Sequence, residues 1–567
     1  MLEAPWPRRL IVCCDGTWQS SVSGSDNVPS NVTKLCRLIN RIGDDQKKDS
    51  SKKWHQLVYY DGGIGTGALS NWEKTRQGGT GLGLAENVIE AYNFIVLNYQ
   101  PGDEIFCFGF SRGAYTARAV AGLVTDIGVF EPRHMQIFPE VYRLYKSNKT
   151  GIAFRETDAW KNIVNGKKWD KSPSPSNEPN KSRAQLDAEK WEIPPRGELA
   201  IDGSNKVKVV GVWDTVGSLG IPDIAWIDNT SLRSKYAFHN VSLNENIEHA
   251  FHALALDEHR KAFRPTLWYI SNKLKARLPA DKLPELKQVW FPGVHINSGG
   301  GSDDSIGDMK GDKEQLANVT FSWMLQCIAP YLTIDDAEFK KTITQYQQWL
   351  DKVRWTCTYY HEGWFGKAVS ILPNVPFVNP APDELTAPRR DKPHQHPDLD
   401  RRWGTGPIDD SYTFKYKLNG SEPRVPGHCR TEFWYADPNN KDGGQWKLEY
   451  IKEHGDTNEY IHPVCAYRQM IRGPKEKSAL GDFNRTLVKN GGDKGRHWWF
   501  HNDGDPIPEW VILEQDNPGF NFERSWYEEC VKENREEGDW LLSLDKKNNF
   551  DIKEKAQPWF YPAPPKQ

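Results

Sequence analysis

The first part of the chain alternates short apolar runs with segments whose apolar residues recur every three or four positions. The runs predict β-strands, and the segments predict amphipathic helices. The predicted order is strand, helix, strand, helix, strand, carried by RRLIVCC, SNVTKLCRLINRI with Ser30 as its cap, WHQLVYY, GLAENVIEAYNFIVLNY and EIFCFGF. This alternation predicts a mostly parallel, doubly wound α/β sheet whose binding crevice lies at the carboxyl ends of the strands.

A second alternating series follows a polar interruption. Residues 130–199 include KKWDKSPSPSNEPNKSR, a composition that predicts a disordered or lid-like insertion. The series then resumes with a strand over KVKVVGVW, a helix over NIEHAFHALALDEHRKAF, a strand over LKQVWFPGV and a closing helix over EQLANVTFSWMLQCI. We therefore expect one α/β domain over residues 1–335. Aromatic runs among turn residues predict an aromatic-rich C-terminal region, 336–567, packed on that core.

Composition narrows the class of protein. The 567 residues carry a formal charge of -3 without long single-sign blocks, which argues against a nucleic-acid partner. No apolar stretch approaches the ~18 residues of a membrane-spanning helix, and the start lacks the apolar run of a secretory signal, so we expect a cytoplasmic protein. The nine cysteines form no C-x-x-C pair, and we expect neither a metal nor another cofactor. The sequence predicts no oligomeric state.

The segment GFSRG places a serine between a predicted strand and a predicted helix. Gly109, Ser111 and Gly113 satisfy the G-x-S-x-G pattern in the strand-turn-helix context that the pattern requires. A tight turn there points the hydroxyl away from the sheet, and a side chain at either flanking position would collide with the neighbouring strand or helix. Ser111 is therefore the predicted nucleophile, and the alternative is a plain turn with a capping serine.

A serine needs a base and an orienting carboxylate, which in this motif follow in the order Ser, Asp, His. Asp214 ends the strand VVGVW, and His295 follows the strand VWFPGV. Both positions lie at the predicted carboxyl edge of the sheet, so these residues are the expected partners of Ser111. Asp257 is a rival carboxylate, and His252 and His259, both on the predicted helix, are rival bases.

The oxyanion of an acyl-transfer intermediate needs two backbone donors. The expected donors are the N–H of Arg112 and an N–H from the loop CDGTW, either Gly16 or Thr17. The same loop is similar to the D-x-D-G-T signature of aspartyl-phosphate phosphatases, but Cys13 occupies the position of the nucleophilic Asp. The glycines of GGTGLGLAEN do not form a G-x-G-x-x-G dinucleotide loop after a first strand.

Six motifs in one order carry a family resemblance, namely CDGTW, YYDGGIGTG, GFSRGAYTAR, WDTVGS, HALALDEHRKAFRPTLW and WFPGVHINSGGG. Over about the first 335 residues the chain resembles the α/β-hydrolase-type domain of the type VI secretion phospholipase effectors, in particular fungal-type members of unknown role. The resemblance implies Ser111 as the nucleophile with Asp214 and His295 as its partners. The family usually has H-x-D before its glycine run, whereas this chain has Asn297, so the role of that carboxylate is lost or changed.

Together these observations predict a serine hydrolase that cleaves a carboxylic ester through an acyl-enzyme, with a small-molecule or lipid ester as substrate. Two alternatives stay open from the sequence. One is a binding scaffold that keeps the hydrolase fold without turnover, and the other is an amidase or thioesterase with the same three residues. Fold resemblance supports the hydrolase architecture better than it supports a phospholipid substrate.

Overall fold

A computed structural model describes most of the first 346 residues and several later segments. The described residues are 6–16, 29–45, 49–62, 84–148, 153–165, 197–216, 243–301, 314–346, 348, 403–408, 420–436, 444–472, 479–488, 496–502, 505–512 and 521–531. The polar segment KSPSPSNEPNKSR of the predicted insertion lies outside them.

Within these residues the strands are β1 (Arg8–Cys14), β2 (Ile42–Asp45), β3 (Asp49–Asp61), β4 (Glu104–Phe110), β5 (Val207–Trp213), β6 (Ile247–Ala255), β7 (Ile270–Ser271), β8 (Glu285–Phe291), β9 (Arg430–Ala436), β10 (Gly444–Tyr450), β11 (Gly455–Asp456), β12 (Glu459–Ile461), β13 (Asn484–Val488), β14 (Arg496–Phe500) and β15 (Ile507–Pro508). The α-helices are α1 (Asn31–Leu38), α2 (Leu84–Asn98), α3 (Ser111–Ile127), α4 (Phe138–Ser147), α5 (Asp158–Val164), α6 (Asn272–Arg277), α7 (His295–Gly299), α8 (Glu314–Ile328), α9 (Pro463–Arg472) and α10 (Phe522–Val531). Short 3-10 helices cover Pro132–Ile137, Phe154–Glu156, Lys261–Phe263, Ala280–Lys282 and Ile451–Glu453.

Eight strands form the central sheet in the order β12-β8-β6-β5-β4-β1-β3-β2. Every neighbouring pair is parallel except β2 with β3. The chain moves from β1 to β3 on one side and then returns to β4 on the other side. The strand order therefore reverses between β1 and β4, and crevices at such a reversal are where doubly wound sheets bind ligands.

The sheet is covered on both faces, and the alternation of side chains along β1 and β4 shows why. Ile11 and Cys13 of β1 join one buried core, together with helices α1 and α8 and with side chains of the C-terminal region. Leu10 and Val12 join a second core, formed with α2, α3, α4 and α5. Successive residues of a strand point to opposite faces, so a strand covered on both faces is apolar throughout, as these two runs are.

The α/β fold predicted from the sequence is confirmed, including Ser30 as the cap of α1, where its side chain accepts a hydrogen bond from the Thr33 N–H. The helix predicted over NIEHAFHALALDEHRKAF is wrong, because residues 247–255 form the central strand β6. This strand is buried on both faces, with Ala250 in one core and Phe251 in the other. Its continuous run of Ala, Leu and His resembles a helix, and pairing with β5 and β8 overrides that local preference.

The described part of the predicted insertion packs on the core: helices α4 and α5 bury Phe138, Tyr142 and Trp160 against it. A lid role for residues 130–199 stays a prediction. The C-terminal region adds strand β12 to the sheet and contributes Trp403, Tyr467 and Trp526 to the first core. Among the described helices, none has both the length and the apolar character needed to cross a membrane.

Candidate active site

Ser111 lies at the sharp turn between β4 and α3, with helix α3 beginning at Ser111 itself. Its φ is 57°, a left-handed conformation that non-glycine residues adopt at a cost and that recurs at functional sites. A Cβ added to Gly113 would lie under 3.0 Å from the carbonyl oxygens of Cys14 and Asp15, and one added to Gly109 would meet the backbone of Gly113. The two flanking glycines are thus required by close backbone packing, as the pattern predicts.

Three of the sequence-predicted residues meet in one hydrogen-bonded chain. Ser111 Oγ lies 2.7 Å from His295 Nε2, and His295 Nδ1 lies 2.6 Å from Asp214 Oδ2. The three side chains come from the carboxyl ends of β4, β5 and β8, and all three residues are buried. With Nδ1–H donated to the carboxylate, Nε2 is left to accept the Ser111 hydroxyl proton.

Asp214 is held from several directions. Like Ser111 it has a positive φ, 39°. Its Oδ1 accepts from the Ala255 N–H at 3.0 Å, and Arg424 forms a two-point ion pair with it, Nη1–Oδ1 at 2.6 Å and Nη2–Oδ2 at 3.1 Å. Burial alone would raise the pKa of the Asp214 carboxyl, but the Arg424 guanidinium and the His295 hydrogen bond hold that pKa well below its usual value. Asp214 is therefore an ionised acceptor at neutral pH.

His295 begins the short helix α7, and aromatic rings enclose its imidazole. Phe110 packs beside the ring at a centroid distance of 4.9 Å, and Phe263 packs edge-on at 4.9 Å. The His295 N–H points to Glu258 Oε2 at 3.3 Å. Asn297 stabilises the loop before the histidine, since its Oδ1 accepts from the Val294 N–H at 3.0 Å. Asn297 accepts this hydrogen bond through its amide oxygen, as an aspartate would through a carboxylate oxygen. The contact therefore does not require the carboxylate of the family pattern.

The rival carboxylate and histidines lie elsewhere. Asp257 Oδ2 accepts from the Gly293 N–H at 2.7 Å and so stabilises the loop before His295. His252, on β6, accepts from the Thr215 N–H through Nε2 at 3.1 Å, with Nδ1 3.2 Å from Gln288 Oε1. Burial, followed by the charge of Arg118, lowers the pKa of His252 to about 3, which keeps it neutral.

His259 is the remaining rival, and it lies in an exposed contact away from Ser111. Its Nδ1 is 2.9 Å from the Ser421 hydroxyl. His252 and His259 were both predicted to lie on one helix, which is wrong because β6 ends at Ala255 between them. His295 is the candidate base that hydrogen-bonds to Ser111.

The predicted oxyanion donors are partly described. Arg112 follows Ser111 in the first turn of α3. The Gly16 N–H is donated to Asp15 Oδ1 at 2.7 Å, and Thr17 lies outside the described residues. Asp15 itself is buried, which raises its pKa, and it accepts from the side chains of Ser30, Thr33 and Tyr60. This network fixes the loop after β1 beside the turn.

A cationic cavity of about 260 Å³ has in its wall Phe263, whose ring packs edge-on against His295. Its charged lining residues are Arg260, Lys261, Arg264, Arg424, Arg430 and Glu422. Cavities of this kind suit an anionic group. The described residues contain no cluster of His, Cys, Asp or Glu that could hold a metal ion.

Arg424 is the site residue that the sequence did not indicate. It lies 210 positions from Asp214, in a Pro-rich stretch, SEPRVPG, that carries no recognisable pattern. Only the folded chain brings it to the carboxylate, so no local signal could have identified it.

Comparison with known proteins points to one family. The sequence model of the family described as "T6SS, Phospholipase effector Tle1-like, catalytic domain" matches residues 8–327 of this chain. The chain is also similar to the uncharacterized protein YEL023C of Saccharomyces cerevisiae, with 24% identity over 269 residues, which are 45% of this chain and 32% of the yeast protein. The chain thus spans about a third of the length of that relative. Ser111, Asp214 and His295 all lie within the matched residues, whereas Arg424 lies beyond them.

Proposed function

Because the chain belongs to the family of the Tle1-like phospholipase effector catalytic domain, we propose that it is a serine hydrolase that cleaves a carboxylic ester of a lipid, with Ser111 as nucleophile, His295 as base and Asp214 as the orienting carboxylate. The observation that carries this proposal is the chain of hydrogen bonds of 2.7 Å and 2.6 Å that joins the three side chains.

In the proposed mechanism, Ser111 Oγ attacks the ester carbonyl while His295 Nε2 takes its proton. The tetrahedral intermediate collapses as the imidazolium returns that proton to the leaving alcohol, which leaves an acyl group on the serine. Water then attacks the acyl carbon while His295 Nε2 takes one of its protons. The second tetrahedral intermediate collapses as the C–Oγ bond breaks and the imidazolium returns that proton to Ser111 Oγ, which releases the carboxylic acid and the free serine. Asp214 holds the Nδ1–H tautomer throughout and stabilises the imidazolium.

The oxyanion of each tetrahedral intermediate needs N–H donors next to the turn. We assign one donor to Arg112, whose backbone follows the nucleophile, and the other to the loop of residues 16–17. The Gly16 N–H could serve only after leaving Asp15 Oδ1, to which it donates at 2.7 Å. Thr17 is therefore the preferred second donor.

The cationic cavity supports a lipid that carries a phosphate. Phe263 forms part of its wall and also contacts the His295 ring, so the cavity borders a residue that packs on the proposed base. Five basic residues line the cavity, and four of them pair with one of three carboxylates, those of Glu258, Glu422 and Asp214. The remaining excess of positive charge favours an anionic phospholipid over a neutral ester.

A fluorophosphonate probe tests the chemistry without knowledge of the substrate, since it reacts covalently with an activated serine. We expect labelling of the wild type and none of Ser111→Ala. Absence of labelling in the folded wild type would favour the binding scaffold.

A matched panel then tests the substrate class. The panel contains phosphatidylglycerol, a neutral triacylglycerol, a thioester and an amide, each with the same acyl chain. We expect phosphatidylglycerol to be cleaved fastest. Faster turnover of the thioester or the amide would move the assignment to those classes.

A further inference from the structure

Arg424, in the C-terminal region, reaches across to Asp214 and donates from both terminal nitrogens of its guanidinium at that point. Nη1 donates to Asp214 Oδ1 and to the Ala255 carbonyl, each at 2.6 Å. Nη2 donates to Asp214 Oδ2 at 3.1 Å and to the Phe263 carbonyl at 2.5 Å. Two N–H groups therefore bind the carboxylate and two anchor the arginine on the backbone. A lysine, with its donors on one nitrogen, cannot reproduce this fork.

The contact fixes the carboxylate rather than merely touching it. Asp214 Oδ2 receives His295 Nδ1–H and Arg424, while Oδ1 receives the Ala255 N–H and Arg424. Four donors thus hold the two oxygens, and the plane of the carboxylate is determined on both sides. The exposed fraction of the side chain is 2% for Arg424 and 0% for Asp214, so water does not screen the pair.

We propose that Arg424 is a positioning residue of the Ser111 site, holding the Asp214 carboxylate in the plane that orients His295 and offsetting its charge, so that the C-terminal region completes a site whose other members lie in the family domain. This inference rests on the proposed serine hydrolase function. The inference goes beyond that function because Arg424 lies outside the matched domain, residues 8–327.

The charge of Arg424 has a definite effect on the base. A buried carboxylate without a paired cation strongly stabilises a neighbouring imidazolium. The Arg424 guanidinium opposes this effect because its charge offsets that of the Asp214 carboxylate. Removing Arg424 should therefore move the acidic limb of the reaction to higher pH.

Other charged groups near the pair do not reverse this expectation. Glu258, which accepts from the His295 N–H, is paired with Arg260 through two-point contacts at 2.9 Å and 2.6 Å. Arg118, on helix α3, adds a buried positive charge near His252. All three stay in place when Arg424 is replaced, so the change in charge at Asp214 is the only one made.

The test measures the rate of fluorophosphonate labelling of the full-length protein between pH 5 and 9 for the wild type, Arg424→Met and Arg424→Lys. The control is Arg524→Met, because Arg524 also lies in the C-terminal region but pairs with Glu528 on helix α10 at 2.7 Å. We expect Arg424→Met to label more slowly and its acidic limb to lie about one pH unit higher. Arg424→Lys should keep the limb of the wild type but label about tenfold more slowly, since it retains the charge and loses the fork. Arg524→Met should match the wild type.

Thermal melts accompany each variant. If Arg424→Met does not fold, Arg424→Lys decides alone, and a wild-type labelling rate in that variant would overturn the proposal. An equal loss of rate at every pH in Arg424→Met, without movement of the limb, would also overturn it, since that is the result of a purely structural role. A folded wild type that does not label removes the serine hydrolase function itself, and this inference with it.

Discussion

Gly113→Ala tests the geometry of the turn directly, since it adds one methyl group where α3 passes the end of β1. That carbon would lie under 3.0 Å from the carbonyl oxygens of Cys14 and Asp15, whereas ordinary contacts begin at 3.4 Å. Both oxygens belong to the backbone and cannot rotate away. The start of the helix and the end of the strand must therefore separate by about 1 Å.

Two opposing effects set the change in the free energy of unfolding. Overpacking of this kind costs about 1–3 kcal/mol, while Ala gains about 1 kcal/mol over Gly within a helix. We expect Gly113→Ala to fold with a net loss of up to roughly 2 kcal/mol in the free energy of unfolding. The effect on Ser111 is larger, because moving a reacting group by about 1 Å costs on the order of 10²-fold in rate. Labelling by a fluorophosphonate should therefore be about 100-fold slower.

The assay is the pseudo-first-order labelling rate at pH 8, with urea unfolding of the same preparations. Gly102→Ala is the control, since Gly102 has a φ of 97° with nothing within 4 Å of an added Cβ. That variant carries backbone strain without a collision, so it should lose stability and keep its labelling rate. A Gly113→Ala protein that labels at the rate of the wild type would refute the argument that the flanking glycine positions the nucleophile.

The remaining predictions concern the three side chains and their rivals. Ser111→Ala should abolish ester hydrolysis while the protein stays folded, measured by turnover and by thermal melting; residual turnover would remove the assigned nucleophile. His295→Ala should lower kcat by at least ~10³-fold, whereas His252→Ala and His259→Ala should act on stability or binding, and a near-normal kcat for His295→Ala would move the base elsewhere. Despite burial, Arg424 and His295 hold the pKa of Asp214 below the ~3.9 of an unfolded chain. The contacts of the ionised Asp214 therefore contribute stability that is fully present above about pH 4 and is lost as pH falls further. The free energy of unfolding of the wild type minus that of Asp214→Asn should therefore shrink as pH falls below about 4 in urea titrations; a difference that is constant down to pH 3 would contradict the assigned ionisation.

Local patterns in the sequence predicted the parts of the site that local structure determines. The turn at Ser111 depends on residues within two positions of it, and the glycines on both sides are visible in the sequence. Asp214 and His295 were predicted for a related reason, because each lies just beyond an apolar run that forms a strand of a parallel sheet. Strand ends in such a sheet meet at one edge, so the order of the runs is enough to bring these residues together.

The helix predicted over β6 was wrong for the opposite reason. Ala and Leu in that run prefer a helix when considered alone, and the strand exists because β5 and β8 hydrogen-bond to it on both sides. Those partners lie on either side of it in sequence and act only when the sheet has assembled. The error then affected the site, since it placed His252 on a helix although its side chain fixes the backbone after Asp214.

Arg424 shows the limit of such reasoning most clearly. An ion pair between residues 210 positions apart leaves no periodicity, and an arginine in a Pro-rich stretch is an ordinary surface residue by composition. Its importance follows from the burial of Asp214, because a carboxylate with no exposure is unstable without a paired cation. His295 binds Oδ2 of the Asp214 carboxylate, whereas Oδ1 is bound by the Ala255 N–H and by Arg424. If the positioning role is correct, the requirement for a cation at Asp214 couples the C-terminal region to the chemistry of Ser111.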